Sequence, residues 1–195
     1  MNQILPSNYQ IRDILTRSYG WKPMNIIWSS PHALFLGGVD PYTETPFDVM
    51  ERECLQCCCK IYKPTLIISL GDPIHIDLLN KTRNQWPEEV EWKPFIIFDH
   101  FDQANLDLFR TTVIDAVEEM ERHQRSHPEN SCIFVHCYMG ISRSASVMIL
   151  YLVKNRGMTV RKAIEFLRQC RPCIYPNFGF LRELLAIEDS IDGFF

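Results

Sequence analysis

The strongest constraint on this chain lies in fourteen consecutive residues: Ser131-Cys132-Ile133-Phe134-Val135-His136-Cys137-Tyr138-Met139-Gly140-Ile141-Ser142-Arg143-Ser144. An apolar run, residues 132–135, leads to a histidine and a cysteine. Five residues centred on Gly140 follow, and then Arg143, Ser144 and a stretch rich in Ala, Ile, Leu, Val and Met. The order predicts a buried strand, a tight loop and a helix over 144–154 with Gly157 at its C-terminal cap. A thiol opens the loop and a guanidinium closes it.

Five residues can curl the backbone so that successive N–H groups converge on one point. Such a nest binds an anion, and the positive end of the following helix adds to it. Gly140 stands where the bend needs positive φ or a close approach. Tyr138, Met139, Gly140, Ile141, Ser142 and Arg143 are therefore the expected anion-binding residues. The same field acts on Cys137, because helix N-termini and nearby cations lower a cysteine pKa from about 8.5 to as little as about 3.5–7.5. Arg143 offers planar paired donors that lysine does not. Ser144 places a hydroxyl to hydrogen-bond the thiolate. A cysteine and an arginine at this spacing also arise by chance, and free cysteine often serves as a small buried hydrophobe. The strand before and the helix after give the pair its meaning.

His136-Cys137-x-x-Gly140-x-Ser142-Arg143-Ser144 resembles the signature of the cysteine-dependent protein phosphatases, specifically the dual-specificity branch. Downstream, Arg171-Pro172, then Pro176-Asn177-Phe178-Gly179-Phe180-Leu181 and Leu184-Leu185, is similar to that family's closing segment. Upstream, Ala33-Leu34-Phe35-Leu36-Gly37-Gly38 is similar to its first strand and turn. The similarity runs over about residues 26–187. It implies an α/β fold with a central mixed, mostly parallel sheet flanked by helices. It also implies hydrolysis of phosphotyrosine and phosphoserine or phosphothreonine through a phosphocysteine. The alternative reading is a pseudophosphatase-like module that binds phosphoproteins without turnover, although the motif carries no inactivating change.

The resemblance implies a general acid on the loop between the strand before the long helix and that helix. Asp99 and Asp102 both stand there. Asp99 is favoured because it follows the apolar run 94–98 and precedes Asn105 by six residues, near the family's usual five. Asp102 suits a helix cap. The catalytic set is thus Cys137, Arg143, Asp99 and Ser144. His136 invites a Cys–His dyad. Adjacent strand residues point to opposite faces, however, so it reads as a packed brace. Asn177 resembles a residue that supports the loop. The variable loop residues add no lysine, which disfavours a phosphoinositide and favours a phosphorylated protein as the substrate.

At 195 residues the chain suits one domain, divided here into an N-terminal extension, 1–25, and a catalytic domain, 26–195. Hydrophobic content of 46% with 23% charged residues is that of a soluble globular protein. The net charge of −4 argues against a nucleic-acid partner. No apolar run reaches the roughly 18 residues of a membrane span. The first residues carry neither a signal peptide nor a glycine for myristoylation. The expectation is therefore a cytoplasmic or nuclear protein with no nucleic-acid or membrane partner; oligomeric state is not legible.

Of eight cysteines, Cys54/Cys57 and Cys170/Cys173 have zinc-like spacing. The first pair lies in a predicted helix, 46–62, and the second flanks a loop that has no need of metal. No metal and no other cofactor are expected. Reversible oxidation of Cys137 is expected of an accessible low-pKa thiolate.

The remaining pattern predicts a leading helix over 7–18 and a linker at 19–23. A hairpin is expected over 26–37, a strand at 65–70, and a short helix or insertion at 77–86. A buried strand at 94–98 precedes a long amphipathic helix over 106–125. Helices over 160–168, capped by Thr159, and 177–189 complete the chain.

Overall fold

The computed structural model describes residues 24–28, 32–57 and 62–192; the expected leading helix and linker lie outside them. Five strands form one sheet: β1 Met24–Trp28, β2 Ala33–Gly38, β3 Leu66–Gly71, β4 Glu91–Ile96 and β5 Cys132–Cys137. Their spatial order is β1-β2-β5-β3-β4. The first pair is the antiparallel hairpin expected from the split apolar run, while β2, β3, β4 and β5 run parallel. The sheet is thus mixed and mostly parallel.

Parallel strands covered on both faces read as near-continuous apolar runs. β3 and β5 are buried at every position. Alternation along β5 divides the core in two. Ile133, Val135 and Cys137 pack with the main cluster, and Cys132 and Phe134 with a second. The main cluster lies under α3 Gln103–Ser126, α4 Arg143–Arg156, α5 Val160–Cys170 and α6 Phe178–Asp192. The second is covered by α1 Pro46–Cys57 and by Leu79 of α2 Pro73–Lys81. Central β5 consequently delivers Cys137 to the carboxyl end of the sheet, where open α/β folds place their sites.

Two elements differ from expectation. The strand expected at 94–98 begins earlier, at Glu91, and forms a half-exposed edge, paired among the described residues only with β3. Pro94 lacks an N–H and is tolerated because it stands on that edge. Of the run 95–98 only Ile97 is fully buried; Ile96 and Phe98 are 49% and 40% exposed. The short helix starts at Pro73 rather than Asp77. Asp72 caps it by accepting the His75 amide at 2.9 Å, with Pro73 in the first turn, so the Gly-Asp-Pro stop of β3 is also a helix start. Smaller adjustments include β1, which takes in Met24 and Asn25, α3, which begins at Gln103 rather than Leu106, and α6, which begins one residue after its expected start.

Candidate active site

The loop from Cys137 to Arg143 must pass very close to the end of β2, and glycines make this possible. Gly140 has φ +67°, and a Cβ there would fall on the Gly37 backbone; a Cβ on Gly38 would meet the Met139 carbonyl carbon at 2.5 Å. The fold thereby explains both the loop glycine and Gly38 upstream. Helix α4 begins at Arg143, so its positive end faces the loop.

Cys137 is 2% exposed. Its Sγ accepts hydrogen bonds from the Gly140 amide and the Ser144 hydroxyl, both at 3.2 Å. Burial by itself pushes this thiol up. The Arg143 charge and the Ser144 hydroxyl and amide outweigh burial and the opposing Asp99, so the pKa lies below its ordinary value. The sulfur is thus held toward the thiolate. Arg143 Nη1 reaches the Ile97 carbonyl at 3.4 Å, while its Nε is buried with no hydrogen-bond partner. A buried guanidinium nitrogen left unpaired is a place for an anionic oxygen.

Asp99 is brought to this loop and Asp102 is not. Asp99 Oδ1 accepts from Ser142 Oγ and Asn177 Nδ2, each at 2.7 Å. Both donors fall on one oxygen, and Oδ2 lies 3.9 Å from Arg143 Nε. Asp102 instead accepts the Asn105 amide at 3.1 Å as the cap of α3. The hydroxyl of Ser142 also accepts the Asn177 amide at 3.1 Å, so this loop residue ties Asp99 and the closing segment together. Asn177 Oδ1 in turn accepts the Phe180 amide and caps α6.

The other loop residues divide in the same way. The Ile141 carbonyl accepts the Tyr175 amide at 2.8 Å. Tyr138 lines a cavity together with Arg143 and His75. His136 is fully buried, and its Nε2 lies 2.7 Å from Ser69 Oγ, which also accepts from Trp92 Nε1. Burial, with His75 nearby, holds the imidazole far below its ordinary pKa. Its neighbours are those of a packed brace on the sheet face opposite Cys137.

One supporting residue is absent from the sequence reading of the site. Arg171 is fully buried beneath the loop. Its Nε donates to the Gly140 carbonyl at 2.8 Å, Nη2 to the Met139 carbonyl at 3.1 Å and Nη1 to Asn25 Oδ1 at 2.6 Å. With their carbonyls held from below, the loop amides are free to turn inward. The available signal was an arginine between two cysteines at the edge of the closing segment, with nothing to show that it points inward. Those cysteines, Cys170 and Cys173, have thiols pushed up by burial; the side chains of Cys54 and Cys57 lie outside the described residues.

The comparisons agree with this geometry. Residues 73–190 match the family model "Dual specificity phosphatase, catalytic domain". A dual specificity protein phosphatase 1 from Arabidopsis thaliana is 30% identical over 139 residues, covering 70% of this chain and 63% of the relative. The Drosophila melanogaster phosphatase Mpk3 is 30% identical over 174 residues, 89% of this chain and 36% of its own length. The chain thus spans less than two thirds of these relatives. In fold it is similar to the crystal structure of human DUSP28, with TM-score 0.60 and 23% identity over 87% of this chain and 95% of that one.

Proposed function

Since this chain belongs to the dual-specificity phosphatase family, we propose that it hydrolyses phosphate monoesters on proteins, at tyrosine and at serine or threonine, through a phosphocysteine intermediate. The observation that carries this reading is the thiol of Cys137, held toward thiolate beside a buried arginine nitrogen that has no hydrogen-bond partner among the described residues.

Each step follows from a named group. The loop amides and Arg143 hold the equatorial phosphate oxygens and so stabilise the charge of the in-line transition state. Cys137 Sγ attacks phosphorus; the bond to the ester oxygen breaks and Asp99 protonates that oxygen, from Oδ2, the oxygen without hydrogen-bond donors. The Asp99 carboxylate then takes a proton from water as the water attacks the phosphocysteine. Ser144 donates to the sulfur as it leaves. Arg171 and Asn177 keep the loop and the acid in place.

The test is hydrolysis of a small aryl phosphate and of a phosphopeptide in EDTA with a reductant. We expect turnover of both by the wild-type chain. We also expect Cys137→Ser to lose turnover while still binding the phosphopeptide. Binding without turnover by the wild type would move the protein to the phosphoprotein-binding reading. The proposed catalytic set is Cys137, Arg143, Asp99 and Ser144.

A further inference from the structure

Beside the phosphate loop lies a cavity of about 200 Å³, lined by Tyr42, Ile74, Asp72, His75 and Tyr138 and sharing Arg143 with the catalytic site. A group bound there is contiguous with a phosphate held by the loop, and the volume suits one side chain.

Its chemistry is divided. Tyr42 and Ile74 are large apolar groups left 68% and 64% exposed. The polar end is formed by Asp72 and His75. Asp72 Oδ1 accepts the His75 amide, and the carboxylate enters no ion pair among the described residues. The ring of His75 is 5% exposed. It occupies the space that Gly71 leaves open, since a Cβ on Gly71 would lie 2.8 Å from His75 Cβ and Cγ. The ring stands edge-on to Tyr138 at 5.8 Å, and its Nε2 is buried without a partner. Burial above all, then Arg143, pushes the His75 pKa down to about 4 against the pull of Asp72 and Asp40. The imidazole is therefore neutral near pH 7 and leaves the charge of Asp72 standing.

With a phosphate dianion covering Arg143, the charge facing this space is negative. An acidic side chain meets repulsion here. A lysine or arginine meets apolar and aromatic surface for its stem and a carboxylate for its head.

We propose that this cavity is a specificity subsite, which takes an arginine or lysine close in sequence to the phosphorylated residue, its stem against Tyr42 and Ile74 and its cation at Asp72. The proposal rests on the phosphatase reading above and names the substrate class for the same site.

The experiment uses phosphopeptides that differ only in carrying Arg, Lys, Ala, Leu or Glu at positions one to three residues on either side of phosphotyrosine. Relative kcat/KM is measured for the wild type and for Asp72→Asn, which retains a good helix cap. Ratios taken within one enzyme cancel any change in overall turnover. At one position the wild type is expected to favour Arg or Lys over Glu by about 5- to 10-fold, and Asp72→Asn to reduce this to about 2-fold. Equal rates at every position, or a preference that survives Asp72→Asn, overturns the subsite. Absence of turnover with every peptide and with a small aryl phosphate overturns the phosphatase reading instead. The same panel measured by binding to Cys137→Ser, with and without Asp72→Asn, then decides the subsite on the same ratios.

Discussion

Two loops meet at this site, and they are built differently. The Cys137–Arg143 loop is buried at Cys137, Gly140 and Ser142, passes tightly over Gly37 and Gly38, and has two carbonyls held by the buried Arg171. Residues 98–103, which carry Asp99, are all exposed. They are held by side chains: Asn105 Nδ2 donates to the Phe98 and His100 carbonyls at 2.9 and 2.7 Å, and Ser142 and Asn177 donate to Asp99. The difference follows from the work of each loop. Donors that stabilise a transition state are effective when they need no reorganisation, so the phosphate cradle is locked into the core. In the proposed mechanism Asp99 has to reach leaving groups of different length, and an open segment on a few side-chain tethers suits that.

The comparison is broken most severely at the nucleophile and its arginine. Arg143→Lys, which keeps the charge and loses the paired donors, is expected to lower kcat by about 10²–10³-fold in aryl phosphate assays. Asp99→Asn comes next, with a fall of about 10²–10³-fold that deepens as the leaving group becomes poorer. Asp102→Asn, which still caps α3, should change kcat less than about 3-fold. A larger effect at Asp102 than at Asp99 reverses the assignment of the acid.

Arg171→Met strips the supports of the locked loop. We expect about 3 kcal/mol less stability in urea unfolding and a kcat loss that Arg171→Lys does not restore, because three divergent bonds need the guanidinium fork. Asn105→Ala, which removes tethers of the open loop, should cost only about 1–2 kcal/mol. Iodoacetamide alkylation of Cys137 followed against pH should show a midpoint below the ordinary thiol value of about 8.5. That midpoint should move up in Ser144→Ala, since a donor to the thiolate is lost.

The smallest effect concerns acid stability. His75, with its pKa pushed down to about 4 chiefly by burial, takes up its proton in the unfolded chain at higher pH than in the folded one. The unfolded state therefore binds more protons between about pH 6.5 and 4, and stability falls as pH is lowered through that window. His123 and His136, also held down mainly by burial, add to the fall. Melting curves from pH 7 to 4.5 should show this decline, and His75→Phe should flatten it.

The strand, loop and helix around Cys137 were legible because their signals are local. An apolar run, a turn-permitting glycine and a second apolar run lie within contiguous sequence, and the alternation rule alone set His136 against Cys137. The sequence favoured Asp99 over Asp102 on order and spacing alone, because both stand on one short segment. Tertiary contacts set the two apart: one carboxylate meets Ser142 and Asn177, 43 and 78 residues away along the chain, and the other turns back to cap its own helix. The apolar run 95–98 misled for a related reason, since hydrophobicity does not tell an edge strand and a site rim from a core strand.

By itself, then, the sequence determined the strand, loop and helix around Cys137, the order of strands and helices and the family to which the chain belongs. Tertiary structure alone decided that Arg171 lies beneath the loop, bonded to a strand 146 residues earlier, and that Asp72 and His75 wall a cavity beside Arg143. The physical reason is that nucleophile, cradle and helix end are properties of neighbouring residues. Burial, pairing and the field at a site depend instead on what the fold brings from far along the chain.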